Sequence, residues 1–173
     1  MTSAAFHTAT TPDGPFTVVA NEAVIASGWT DDVDALLRLV DPSLLPGRLL
    51  GDVLGMAMRE ALIAVEAYYA GDFGPMMVVP VAQTAAPFRA QCRRLLHDVA
   101  PGRVITYKDL AAQAGNPQAA RAAASACSTN PVALFLPCHR VVREDGGLGG
   151  FLYGLDLKRS LLDRERRLPS YRV

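Results

Sequence analysis

A cysteine and a histidine stand side by side, Cys138-His139, just past the apolar run Val132-Ala-Leu-Phe-Leu136, and Arg140 follows them. A thiol reacts as its thiolate, and cationic or hydrogen-bonding neighbours favour that form. Cys138 is therefore a candidate nucleophile. Taken alone, the pair fits a buried structural thiol beside a satisfied histidine better than it fits chemistry, so the surroundings must decide. The other cysteines, Cys92 and Cys127, bring the total to three, an odd count without the spacing of a disulfide framework. His7, His97 and His139 are scattered, and there is no Cys-x-x-Cys or His-x-x-x-His pair, so no metal site and no cofactor are expected.

The charge is divided unevenly around this centre. The formal net charge is zero, but residues 1–83 carry three basic and ten acidic side chains, and residues 84–173 carry fourteen basic and seven acidic. The halves are thus −7 and +7. A basic half containing the candidate nucleophile suggests a polyanionic partner, the plainer alternative being two solvated faces of opposite sign. The 173 residues suffice for one medium domain or two small ones, and half of them are hydrophobic, an ordinary globular balance. No run is long and apolar enough to span a membrane. The opening MTSAAFHTATTPDG lacks the basic start and apolar core of a secretory signal, so a soluble cytoplasmic protein is expected.

The elements that must position Cys138 follow from periodicity and breakers. Phe16–Ala20 and Ala23–Ser27, separated by Asn21-Glu22, read as a β-hairpin, with Trp29 beyond it as a packing anchor. Asp31–Val40 and Val53–Ala70 have helical spacing, the second with Leu54, Met58, Leu62, Val65 and Tyr69 on one side. Met76–Val81 reads as an edge strand interrupted by Pro80. The sign change and the loop-like stretch at 83–87 predict a domain boundary there. Phe88–Val99 is a helix with Phe88, Cys92, Leu95, Leu96 and Val99 inward. Val132–Leu136 reads as a buried strand.

Between these lies a pair of short helices. Thr106-x-x-Asp109 is a capping-box variant that opens the first, Gly115 ends it, and Asn116-Pro117 opens the second, which runs to about Ser128. This is helix-turn-helix geometry. The second helix is nearly all small, with Ala119, Ala120, Ala122, Ala123, Ala124 and Ala126 around the single long cation Arg121. Small residues let a backbone approach a duplex, and one arginine can reach into a groove and the base stack. A plain alanine-rich helix in a tight core is the alternative.

The run Pro137-Cys138-His139-Arg140-Val141 resembles the signature of the O6-alkylguanine-DNA alkyltransferase family. Ile105-Thr-Tyr107, Gly115-Asn-Pro117, Ala119-Ala-Arg121 and Asn130-Pro-Val132 match in order and spacing. The resemblance is strong over about residues 84–168 and weaker before them, through Pro12–Phe16 and Ala67–Gly71. It implies direct-reversal DNA repair in which Cys138 takes the alkyl group from O6 of guanine, once and irreversibly. It implies that His139 draws the thiol proton through a water, that Glu165 orients His139, and that Asn130 ties the recognition helix to the active-site loop. Tyr107 would push out the target nucleotide and donate to guanine N3, and Arg121 would fill the vacated stack while Ala119, Ala120 and Ala122 face the duplex. Val141 would offer its carbonyl to the guanine 2-amino group, and Lys158 would sit near Tyr107. Cys127, Phe151 and Leu152 would line the substrate pocket. The loop Gly149-Gly150-Phe151-Leu152-Tyr153-Gly154 departs from the family's usual Gly-Tyr-x-Gly-Gly-like pattern and is closer to the alkyltransferase domains of bacterial adaptive-response proteins.

The expected fold is α/β, with a small antiparallel sheet and helices over residues 1–83 and a mostly helical domain carrying the helix-turn-helix over 84–173. The expected partner is double-stranded DNA bearing O6-alkylguanine, with O4-alkylthymine a second candidate lesion. A monomer is expected, with cooperative binding along DNA left open. Two rivals are weaker. A non-catalytic lesion-binding protein of the alkyltransferase-like type would lack the acceptor cysteine. A cysteine hydrolase would explain Cys138, His139 and Glu165 but not Arg121, the alanine-rich helix or the basic half.

Overall fold

The computed structural model describes residues 2–51 and 53–167. The chain opens with a long strand, β1 (Ser3–Thr11), which turns at Pro12-Asp13 into β2 (Gly14–Ala20). Gly14 takes φ +109°, a value that only glycine adopts without strain. The predicted hairpin is the next one, β2 against β3 (Val24–Gly28), with a register shift at Val19/Ala20. The Asn21 side chain accepts from the Ala23 amide and closes its turn. Strand β4 (Arg48–Gly51) adds to β1 in parallel, giving the order β3-β2-β1-β4. The sheet is therefore antiparallel through three strands and mixed at its β4 edge.

Helix α1 (Val33–Leu37) is short, and its N-cap Asp32 accepts from the Ala35 amide. Helix α2 (Met56–Ala70) ends at Gly71, which is left-handed at φ +93°. Its buried stripe is Ala57, Met58, Ala61, Ala64, Val65 and Tyr68. That stripe is rotated from the predicted one: Tyr68 is buried instead of Tyr69, and Leu54 precedes the helix and is exposed. Alanines supply half of the real stripe, so large-residue periodicity misplaced the face. The expected strand at Met76–Val81 is instead a 3-10 turn over Pro75–Met77 followed by irregular chain. Pro80 removes a donor that a ladder would need, and within this stretch only Val81 forms a bridge, to Val24.

Helix α3 (Pro87–Leu96) starts on proline at its first position and buries Cys92, Arg93 and Leu96. Two short strands, β5 (Ile105–Thr106) and β6 (Val141–Val142), pair in parallel. Helix α4 (Tyr107–Gln113) begins with the predicted capping box, both reciprocal bonds being present between Thr106 and Asp109. Helix α5 (Ala120–Ser128) starts later than predicted. Asn116 spends its side chain on the Gln118 amide and its carbonyl on the Ala119 amide, a turn that delays the first helical residue. Helix α6 (Leu155–Arg166) closes the fold.

The segment Val132–Leu136 is buried as expected but is no strand. Leu134 has φ +73°, and the Leu136 amide donates back to the Val132 carbonyl at 3.0 Å. The chain coils there and is pinned to β3. One buried apolar cluster runs from Phe16, Val18, Met58 and Tyr68 through Leu96, Leu110 and Ala123 to Phe135, Cys138 and Leu161. Among the described residues no helix is long and apolar enough to cross a membrane.

Candidate active site

Cys138 opens a 3-10 turn, Cys138–Arg140, whose three residues are all buried. Asn130 forms the hinge before it. Its Nδ2 donates to the Leu136 carbonyl at 2.8 Å, and its Oδ1 accepts from the Val132 amide at 3.1 Å. One amide side chain thus holds both sides of the coil at Leu134, where the left-handed backbone would otherwise be costly. The Cys138 amide donates to the Leu136 carbonyl at 2.8 Å.

Behind the thiol lies a buried ionic centre. Glu165, 2% exposed, accepts from His139 Nε2 at 2.7 Å and from Tyr68 Oη at 3.0 Å on Oε1. Arg140 donates to both carboxylate oxygens, Nε to Oε2 at 2.9 Å and Nη2 to Oε1 at 3.0 Å. The Gly102 amide adds a bond to Oε2 at 3.2 Å, and Arg140 Nη1 donates to the Val99 carbonyl. Burial pushes the Glu165 carboxyl up, but the bonds and charges of His139 and Arg140 outweigh it and hold it well below the usual carboxylate range. A carboxylate can only accept, so His139 carries its hydrogen on Nε2. Nδ1 is left as the basic lone pair, buried and without a hydrogen-bond partner among the described residues.

His139 is held neutral chiefly by its burial, and Arg140 adds to that effect. Burial pushes the imidazole below its ordinary value, and the Glu165 hydrogen bond opposes this without reversing it. The carboxylate is already matched by the guanidinium, so a second cation there would be unpaired. Cys138 is 6% exposed, and burial raises its thiol; the Asn130 side chain, Lys158 and Arg93 pull the other way. The resting centre is thus a neutral thiol beside a neutral imidazole on an ionised carboxylate. Such an arrangement can serve as nucleophile, base and orienting group, with the proton removed on demand.

The thiol opens on a cavity of about 810 Å³ lined by Tyr107, Ser125, Cys127, Gly149, Phe151 and Leu152, among others. Tyr107 is the first residue of α4, and burial pushes its phenol up to about 12. Gly149, at φ +71°, lies under the Tyr107 ring, where a Cβ would come within 2.7 Å of the phenol. Lys158 is fully buried and organises the cavity floor. Its Nζ donates to the carbonyls of Val141 at 2.6 Å, Leu148 and Gly150, and lies 5.8 Å from the Tyr107 ring centroid. The Val141 carbonyl keeps one lone pair free of that bond.

Cys138, Tyr107, Cys127, Phe151 and Leu152 meet at the cavity, and His139, Glu165, Asn130, Val141 and Lys158 stand behind it. Arg121 and Ala122 are exposed at the start of α5, with Ala119 and Ala120 half-buried. Arg121 makes no hydrogen bond or ion pair among the described residues. Sequence reasoning missed Tyr68, Arg140 as a second partner of Glu165, and Arg93. It also missed Trp29 as a neighbour of the cavity loop.

The chain is 32% identical over 162 residues to the methylated-DNA–protein-cysteine methyltransferase of Mycolicibacterium paratuberculosis, covering 94% of this chain and 92% of that one. It belongs to the methylated-DNA–protein-cysteine methyltransferase family. The family's sequence profile, described as 6-O-methylguanine DNA methyltransferase, DNA binding domain, matches residues 87–167. A second methyltransferase of the family, from Shigella flexneri, is 30% identical over 159 residues, covering 90% of this chain and 91% of that one. The crystal structure of Mycobacterium tuberculosis OGT in complex with DNA superposes with a TM-score of 0.77 at 28% identity, over 94% of this chain and 93% of that one. The mixed sheet followed by the helical half is thus the architecture of this methyltransferase family.

Proposed function

We propose that this protein repairs O6-methylguanine in DNA, with Cys138 as its single-use alkyl acceptor. The observation that carries the assignment is the buried series Cys138, His139 and Glu165 opening on a cavity that also presents Tyr107. A water relays the thiol proton to His139 Nδ1. Sulfur then attacks the carbon bonded to O6, the S–C bond forms and the C–O6 bond breaks. Its electron pair passes into the purine, and Tyr107 donates to N3 as the base leaves. Net, the thiol exchanges its hydrogen for the alkyl group, and guanine gains that hydrogen. The product is a thioether, which water does not cleave, so each molecule acts once.

The target base lies inside a duplex, so it must be extruded, at a cost of about a few kcal/mol. Arg121, exposed and unpartnered on an alanine surface, is the group that replaces it in the stack. Ala119, Ala120 and Ala122 face the duplex. Val141 holds the guanine 2-amino group, and the Leu152 amide faces O6. In this reading residues 84–173 bind and react, while residues 1–83 brace them. The partner is double-stranded DNA bearing O6-alkylguanine, bound by a monomer with affinity that falls as salt rises.

The test is mass spectrometry after incubation with a duplex oligonucleotide containing O6-methylguanine. A methyl group on the peptide containing Cys138, and no transfer by Cys138→Ser, is the expected result. Transfer by that variant, or methyl found elsewhere, overturns the assignment. Tight lesion binding without any mass shift favours a non-catalytic binder.

A further inference from the structure

The geometry points to Trp29, in the N-terminal half, as a positioning residue that sets the width of the alkyl pocket by backing Phe151. The inference rests on the repair reading above. Phe151 lines the cavity beside Cys138. Its ring is held from behind by two others, Trp29 with centroids 6.0 Å apart and Tyr153 at 5.6 Å. Those two meet edge-on at 5.4 Å, so the three rings close a triangle. Aromatic groups packed in this way are fixed by shape and quadrupole together.

The triangle is anchored outside the cavity loop. Trp29 stacks edge-on against Phe16 of β2 at 5.0 Å, and its Nε1 donates to Tyr69 Oη of α2 at 2.9 Å. Tyr153 lies across the end of β3. A Cβ on Gly28 would stand 1.9 Å from its hydroxyl, and that hydroxyl points to the Ser27 carbonyl. The loop that carries Phe151 is rich in glycine and has no ladder of its own; Lys158 ties its backbone at Leu148 and Gly150, while the Phe151 ring itself rests on Trp29 and Tyr153. Trp29 takes up the space next to the Phe151 ring on the side of the sheet. The sheet, and not the helical half alone, therefore restricts the size of the alkyl group that reaches Cys138.

The experiment compares single-turnover rates on duplex oligonucleotides containing O6-benzylguanine or O6-methylguanine. Trp29→Leu is expected to raise the benzyl-to-methyl rate ratio on the order of tenfold, the scale of a small change in an apolar pocket. Trp29→Phe, which keeps a ring, is expected to hold the ratio near the parent value. Phe151→Ala alone is expected to raise the ratio, and adding Trp29→Leu to it is expected to change nothing further, because the pair acts as one unit. Tyr153→Leu, read in the same cycle, takes the place of Trp29→Leu if that variant does not fold. An unchanged ratio, or additive effects of positions 29 and 151, overturns the inference. Failure of the parent protein to methylate Cys138 overturns the repair reading instead, and the two failures are told apart by the mass of that peptide.

Discussion

Arg93 of α3 is bound twice to Thr129 at the end of α5: its Nη2 donates to the Thr129 carbonyl at 2.5 Å and to the Thr129 hydroxyl oxygen at 2.8 Å. Its Nε reaches the Ala126 carbonyl at 3.2 Å, and its Nη1 the Gln83 side chain at 3.2 Å. The last carbonyls of a helix lack partners within the helix, and a cation is favoured there by the helix dipole. A side chain only 3% exposed thus caps the helix that carries Arg121 and fixes the turn leading to Asn130. Arg93→Leu leaves buried acceptors unpaired and is expected to cost about 2–4 kcal/mol. Urea unfolding measures it. A loss below about 0.5 kcal/mol would show that the cap is dispensable.

The ionic centre predicts how stability varies with pH. An unfolded histidine titrates near 6.5 and an unfolded glutamate near 4.3. Native His139 is held below its unfolded value, so between the two the unfolded chain binds more protons and stability falls on acidification. Glu165, also depressed, adds a second loss in the same direction below about pH 4.3. The His139 contribution is complete above about pH 6.5 and declines beneath it at up to about 1.4 kcal/mol per pH unit. Denaturation of the parent and His139→Gln from pH 7.5 to 5 is expected to show a gap that narrows with acid. A constant gap would refute a buried neutral histidine.

Arg121→Ala is expected to slow repair of duplex O6-alkylguanine by about a hundredfold, the scale of an unstacking cost of a few kcal/mol. Its reaction with free O6-benzylguanine, which needs no extrusion, is expected to stay within about twofold. Equal losses on both substrates would remove Arg121 from the extrusion step.

Gly149→Ala is expected to disturb Tyr107. The site has φ +71°, which costs a residue with a Cβ about 1 kcal/mol. The new methyl also meets the phenol ring at 2.7 Å. Alkyl transfer on duplex DNA is expected to fall by on the order of tenfold, with loss of about 1–3 kcal/mol of stability. A variant with parental transfer rates would show that the position of Tyr107 is not critical.

Cys138, His139, Tyr107, Asn130 and Glu165 were legible because their order and spacing resemble one family. The helix pair was legible because capping residues and glycine act locally. Contacts between distant elements were not. Five apolar residues at 132–136 read as a buried strand, and the left-handed turn at Leu134 that makes them a coil depends on Asn130 and β3, which no local pattern shows. Arg93 sits at an inward position of α3, but a charged residue there reads as surface until the open carbonyls of α5 are known. Arg140 was read as a neighbour of the thiol, whereas its partner is a carboxylate 25 positions away. Trp29 was read as a packing anchor, and nothing local says that it packs against residues 151 and 153.

Ser27 joins the N-terminal sheet to the segment that leads into Cys138. Its amide donates to the Pro131 carbonyl at 2.8 Å, its hydroxyl to the Ala133 carbonyl at 2.9 Å, and its carbonyl accepts from the Ala133 amide at 3.2 Å. The hydroxyl bond spans 106 positions. Closing so long a loop costs chain entropy before any contact repays it, and such pairings form late in folding. The segment that shapes the Cys138 turn therefore waits for β3 to be in place to receive it. In pulsed hydrogen exchange during refolding, the amides of Ser27 and Ala133 are expected to gain protection together, after those of the β1–β2 hairpin. The turn at Cys138 would then take its final shape only after the sheet that receives the preceding segment.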